Sequence, residues 1–402
     1  MSMIAIPWYF AQEGNLALFG LIYIVTNIIS LFWMPFSGTI VDKYNRKKVF
    51  LYLTLIVGSI LGLIALFGHL NSGLPLLAVG AVFMLTFLNY NLHYPCLYAF
   101  VQEIIEAKYY YKVTSLLEIV GQITTIAAGA GATLLLEGAE NGELNLFGMT
   151  LSIGFDVESW KIYEIFTLDA ATYFVGFLII LMIRYVPVIE RKIESGSLIK
   201  RLKLGYDYLM ENKPIFWFGV LSYMVFLAVL LEAFYLGVSY VNNHLNESGD
   251  IYANSKIAYS TGAILVGLTI RHVFRHINIP LGIIYMTFLT GAVYFTLAFT
   301  HSIVVFFTML FVMGVCNAGV RIARMTYLFK NVENQFFGRV GSIFFITNVI
   351  LRILLMAVFT MAFFQQSNNI IYAYMTIAVL LIITAVMMIR QYKSFDLSLS
   401  KS

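Results

Sequence analysis

Charge is what this chain has least of. Only 11% of its 402 residues are Asp, Glu, Lys or Arg, against 60% hydrophobic, and the mean hydropathy is +0.84. A water-soluble domain carries roughly a quarter charged residues, so this composition excludes one and calls for a polytopic membrane protein. Cysteine is scarce too. Cys96 and Cys316 stand alone in separate apolar runs, a spacing that excludes a disulfide framework or a cysteine metal site and leaves two small packing residues. The chain has no Gly-x-x-x-x-Gly-Lys-(Ser/Thr) loop, no His-Glu-x-x-His and no polar stretch long enough for an ATPase domain. Nothing therefore points to soluble-type catalysis, nucleotide use, a metal or a cofactor. A basic n-region and a small-residue cleavage site are also missing, so the apolar start does not read as a removable signal peptide.

What is present is a series of long apolar runs. A bilayer core about 30 Å thick needs roughly 20 apolar residues per helix. Runs of that kind lie near 15–37, 49–68, 74–100, 113–136, 164–185, 214–240, 257–274, 278–299, 302–327, 339–363 and 369–390. Met1 to Ala11 adds a fragment about 16 Å long as a helix, half a crossing, which reads as a first helix missing an upstream piece. The expected fold is an all-α membrane protein: a six-helix bundle over 1–185, a linker over 186–213, a second six-helix bundle over 214–392 and a tail over 393–402. In the linker, Leu198, Leu202, Tyr206 and Leu209 recur at helical spacing opposite Lys200, Arg201, Lys203 and Asp207, which predicts an amphipathic helix along a membrane surface. The stretch 138–163 is the longest loop on the opposite side, and within it Leu144 to Phe155 leaves hairpin and coil both open.

The few charges set the orientation. Lys43, Arg46, Lys47, Lys48, Lys108, Lys112, Arg184, Arg191, Arg271, Arg275, Lys330, Arg339 and Arg390 collect on one side of the spans with the linker cations. Only Lys161 and Lys256 fall among the acidic loops of the other. The basic side is the cytoplasm, with the C-terminus there. The net charge of +4 thus reports topology and no nucleic-acid binding.

The chain also repeats itself. Gly38, Asp42 and Arg46 recur as Gly267, Arg271 and Arg275, 229 residues on, and Glu106, Lys112, Val113 and Ser115 recur as Glu333, Arg339, Val340 and Ser342, 227 residues on. Two nearly equal offsets imply two related halves, the build of many secondary transporters.

Gly38 to Lys48 resembles the loop signature of the major facilitator superfamily, Gly-x-x-x-Asp-(Arg/Lys)-x-Gly-(Arg/Lys)-(Arg/Lys), with Asn45 where the signature has glycine. Asn tolerates the left-handed backbone that a glycine would serve there. Ile6-Pro7-Trp8-Tyr9, Tyr94-Pro95 with Gln102, Leu168-Asp169-Ala170 and Gly338-Arg339-Val340 resemble the branch containing macrolide-efflux proteins and the enterobactin exporter. The resemblance implies two pseudo-symmetric six-helix bundles, a bacterial cytoplasmic (inner) membrane and a monomer that exports a small molecule. It also implies a gate of Gly38, Asp42, Lys43, Arg46, Lys47, Glu106, Gly338 and Arg339. There Asp42 meets the N-terminal dipole of the eleventh span and Arg46 pairs with Glu103 or Glu106. The alternative is that the cations only enforce topology.

Ionisable residues inside the spans carry the mechanistic signal, because each costs roughly 2.5 to 3.5 kcal/mol at mid-bilayer. Glu232, in the outer half of the seventh span, leads as the proton-coupling group, since a carboxyl in an apolar wall can take up a proton near neutral pH. A carboxylate satisfied by a neighbouring hydroxyl is the other reading. Arg352, mid-span, requires a partner: Glu232, or an anionic ligand. Glu118 either couples protons or pairs with Lys112 or Arg324, and Asp169 either couples protons or meets a helix dipole at the start of the sixth span. Arg321 and Arg324 read as snorkelling at a helix end.

By the resemblance, the first, fourth, seventh and tenth spans line a central cavity. Trp8, Tyr9, Asn89, His93, Tyr94, Tyr223, Tyr235, Asn317 and Arg352 are its candidate wall, suited to an amphipathic ligand. A hydrogen-bonded packing role for His93 stays open. The expectation is a proton-coupled exporter working by alternating access in a lipid bilayer. Its rivals are an importer or flippase of a nutrient or lysolipid, an exporter for one siderophore, and a non-transporting scaffold subunit.

Overall fold

In hydrocarbon a backbone N–H finds an acceptor only along its own helix or in a closed barrel, and the described residues of the apolar runs are almost all helical. The computed structural model describes residues 1–105, 110–139, 143–146, 149–152, 154–185, 198–273, 278–366 and 368–395. Clustering of contacts divides the chain into two compact units, Met1–Ser195 and Gly196–Ser402.

The first unit contains α1 (Ser2–Gln12), α2 (Leu16–Lys43), α3 (Arg46–Asn71), α4 (Leu76–Ile104), α5 (Tyr110–Glu137) and α6 (Ile162–Met182). Between α5 and α6, β1 (Glu143–Leu146) and β2 (Met149–Ser152) pair antiparallel, Glu143 opposite Ser152. The loop left open between hairpin and coil is therefore a hairpin. Packing of α3 on α6 and α2 on α4 organises the unit. At one end Phe19, Tyr23, Phe83 and Phe87 interlock edge to face, and at the other Val41, Val49, Phe50, Leu92, Cys96 and Phe100 form an apolar cluster.

The second unit contains α7 (Leu198–Glu211), α8 (Lys213–Leu245), α9 (Gly249–Val273), α10 (Ile279–Phe299), α11 (Ile303–Asn331), α12 (Asn334–Phe359) and α13 (Ile370–Arg390). Backbones of α9 and α11 come into direct contact: a Cβ on Gly262 would strike the Phe311 carbonyl, and one on Gly314 the Tyr259 carbonyl. Small residues are how membrane helices approach this closely. The amphipathic helix α7 forms, and its packed face is Leu202, Gly205, Tyr208 and Leu209. Gly205 lies against Arg339 and Ile343 of α12, and Tyr208 stacks on Phe336 at 4.5 Å. Tyr206, expected on that face, is 52% exposed instead, because the close approach to α12 is made by the glycine beside it.

The outside of both units is as apolar as the inside. Leu21, Val25, Ile28, Phe32 and Phe36 run exposed along α2, and Val175, Leu178, Ile179 and Met182 along α6. Such stripes are stable only against lipid. Among the described residues ten helices are long and apolar enough to cross a membrane. The eighth span, α9, has the length but not the apolarity, since Asp250, Asn254, Ser255, Lys256 and Ser260 crowd its first half. It begins at Gly249, two turns before the apolar run that starts at 257, so Lys256 lies inside the helix and not in an outer loop.

Candidate functional site

Among the described residues the buried charges lie in the second unit. Glu232 is 2% exposed, Arg352 1% and Arg324 3%. What positions Glu232 is a flaw in α8. Residues Glu232–Leu236 form a π turn, in which the Gly237 N–H bonds to the Glu232 carbonyl. In a regular helix that N–H would serve Ala233. Displaced from its usual partner, the Ala233 carbonyl turns to α9 and accepts from Tyr252 Oη at 2.8 Å and Lys256 Nζ at 3.1 Å. Tyr252 and Lys256 are one turn apart, and the ammonium also stands 4.2 Å above the Tyr252 ring centre. Such π turns recur at functional sites.

The Glu232 carboxyl folds back along its own helix. Its Oε1 occupies the place a side chain at Gly237 would take and accepts no hydrogen bond among the described residues. Lys256 is within electrostatic reach but stops short of an ion pair. Tyr259 on α9, Tyr294 on α10 and Tyr374 on α13 are also within reach. Tyr294 Oη donates to the Ala228 carbonyl at 2.7 Å. Tyr374 packs between Tyr240 and Tyr294, with ring centres 4.7 and 5.5 Å away, and its buried hydroxyl has no hydrogen-bond partner among the described residues. Tyr235, next on the π turn, is buried and meets the Gln365 amide.

Among the described residues no ion pair joins Arg352 to Glu232. The nearby cation is Lys256, which the apolar pattern had left outside the span. Arg324 does not snorkel either. It is buried, donates to the Ser222 carbonyl at 3.0 Å and lies 3.6 Å over the Tyr223 ring. The Tyr223 carbonyl accepts from the Leu227 N–H at 3.0 Å and from Asn348 Nδ2 at 3.2 Å. Tyr223 is thus occupied by protein partners within its own unit. Asn317 donates to Tyr259 Oη at 2.5 Å, tying α11 to the helix that carries Lys256.

In the first unit the candidates are placed differently. Asp169 lies two turns into α6, and its carboxylate accepts from the Ser2 backbone N–H at 2.9 Å and from Ser2 Oγ, with the Met1 ammonium at 3.5 Å. The dipole it meets is that of α1 and not of its own helix. Asn89 Nδ2 donates to Tyr173 Oη at 2.8 Å. His93 packs edge-on against Phe50 at 5.2 Å, Tyr94 is exposed beside Tyr90, Trp8 is buried and Tyr9 half-buried. The His93 and Tyr94 rings meet edge to face at 5.6 Å.

Among the gate candidates, Lys47 Nζ caps the end of α6 through the Leu181 and Ile183 carbonyls, at 3.0 and 2.7 Å, a favourable use of a cation. Arg46 Nε reaches the Val41 carbonyl at 3.5 Å. Gly338 has open space where a Cβ would be, and Arg339 sits over Phe336 at 5.6 Å. Glu106, the side chains of Asp42, Lys43, Glu103 and Glu118, and the surroundings of Gly38 lie outside the described residues. Among the described residues no three His, Cys, Asp or Glu side chains gather as a metal site.

A family model described as Major Facilitator Superfamily matches residues 1–356. No curated protein matches the sequence. Among solved structures, a mutant of the nucleoside transporter NupG has a TM-score of 0.72 and 17% identity, over 97% of this chain and 95% of that one. A bacterial homologue of the iron transporter ferroportin, inward-facing, gives 0.67 and 14%, over 96% and 95%. A D-xylose-proton symporter gives 0.66 and 13%, over 96% and 92%. At these identities the likeness is one of fold.

Proposed function

The chain belongs to the major facilitator superfamily, and from that premise we propose that this membrane transporter exports an amphipathic small molecule in exchange for protons, with Glu232 as the proton-binding group. One observation carries the proposal. Glu232 is buried with a carboxyl oxygen that no described group bonds, on a π turn, in a nest of tyrosines. An ionised carboxylate so placed is costly, and a proton removes the cost. A purely structural acid would be expected to have found its donors, as Asp169 has. Export, alternating access between bundles 1–185 and 214–392, a bacterial inner membrane and a cytoplasmic C-terminus follow from the resemblance of Gly38 to Lys48 and Gly338-Arg339-Val340 to the efflux branch and from the sidedness of the cations. Asp42, Arg46, Glu106 and Arg339 are then the inner gate. Trp8, Tyr9, His93 and Tyr94 are the ligand-facing candidates of the first half.

Retention of ethidium and of macrolide antibiotics in cells with and without the protein tests this reading. Expression should lower retention, and both a protonophore and Glu232→Gln should restore it. Equal retention under all conditions removes the export reading, and export that survives Glu232→Gln removes the role of that residue.

A further inference from the structure

Resting on Glu232 as the proton-binding group, we propose that Lys256 is its counter-ion on a switch: the ammonium moves from the Ala233 carbonyl to the Glu232 carboxylate when the proton leaves, and returns when it binds. Lys256 is then a positioning residue that sets how tightly the site holds its proton.

Four observations converge on it. An ammonium inside a span requires a partner, and the partner Lys256 has is a neutral carbonyl shared with a phenol. A carbonyl bonded by two donors in place of its helical N–H is a contact that one donor can leave without orphaning it, since Tyr252 Oη remains. The acceptor that would hold the ammonium more strongly, a carboxylate, belongs to the adjacent residue on the same turn and lies within electrostatic reach, short of contact. And Glu232 Oε1 is unbonded and turned into the niche at Gly237, the arrangement a protonated carboxyl tolerates and an ionised one does not. The structure is thus the proton-loaded member of a pair whose other member needs only rotation of two flexible side chains. The other titratable groups facing Glu232, Tyr252 and Tyr259 on α9, Tyr294 on α10 and Tyr374 on α13, are phenols. None of these supplies a positive charge, and among the described residues Lys256 is the cation within electrostatic reach of the carboxyl.

The test does not depend on knowing the substrate. Full-length protein in liposomes is titrated while infrared difference spectroscopy follows the protonated-carboxyl C=O stretch, and the band lost in Glu232→Gln is assigned to Glu232. In Lys256→Gln the midpoint at which this band disappears should move to higher pH by about one unit, a tenfold change in proton affinity. Lys256→Arg, which keeps the charge, should stay near wild type. A Glu232 band with the same midpoint in wild type and Lys256→Gln overturns the switch and leaves the proton site standing. A band that never titrates, or none, overturns the proton site and the switch with it. Should Lys256→Gln fail to fold, solid-state NMR of wild-type protein labelled with 15Nζ-lysine replaces it, with the Lys256 signal assigned by its loss in Lys256→Arg. That signal should shift over the pH range in which the carboxyl band vanishes, and a signal that stays fixed there sinks the proposal.

Discussion

The two halves of this transporter handle buried polarity in opposite ways. Among the described residues of the first unit the buried polar side chains are neutral: Asn27 donates to the Tyr23 carbonyl, Ser30 to that of Thr26, and Asn91 to Ser30 Oγ. In the second, Glu232, Asp250, Arg324 and Arg352 are all buried. Serine, threonine and asparagine can return a hydrogen bond to their own helix one turn back and need no tertiary partner. Full charges cannot, so each demands a cation, a carbonyl or a proton from a neighbouring helix. Among the described residues, buried charge therefore concentrates in one half.

The sharpest way to break this contrast is at Arg352. Arg352→Ala deletes one of the largest fully buried side chains and leaves a cavity in its place, so it should cost about 2–5 kcal/mol, read as a steep loss of thermal stability in detergent. A variant as stable as wild type would mean that the second unit does not depend on its buried charge. Next comes Gly237→Ala. The new Cβ meets the Glu232 carboxyl and backbone, so overpacking should destabilise by about 1–3 kcal/mol, and the titration midpoint of the Glu232 carboxyl band should move with it. A wild-type midpoint would show that the niche does not hold the carboxyl. The smallest effect is expected in the first unit. Asp169→Asn weakens the contact with the start of α1 and should lower stability by about 1–2 kcal/mol while the response to a protonophore stays unchanged. Loss of that response would place proton coupling in the first half and reverse the comparison.

How much of this was legible in the chain follows from the range of the interactions. Helix count and placement came through because a span is a local property, twenty apolar residues in a row. Glu232 stood out for the same reason, a carboxylate in such a run. Lys256 did not. Hydropathy began the eighth span at 257, whereas α9 starts at Gly249, and a helix whose first half is polar but buried by its neighbours leaves no local apolar signal. The π turn was equally hidden, since Glu-Ala-Phe-Tyr-Leu is an ordinary helical string, and its register shift is stabilised by Tyr252 and Lys256 from α9. Pairing Glu232 with Arg352 paired the two most conspicuous charges, but which cation lies near a carboxylate is set by helix packing.

From its amino acids alone the protein is committed to a membrane, to two related halves and to the superfamily, because hydropathy, cation sidedness and the Gly38 to Lys48 signature are written in consecutive residues. Tertiary structure alone decided that Lys256 stands beside Glu232, that Arg324 is buried on Tyr223, and that Asp169 serves α1. Burial and charge pairing are properties of neighbours distant in sequence, and no window along the chain contains them.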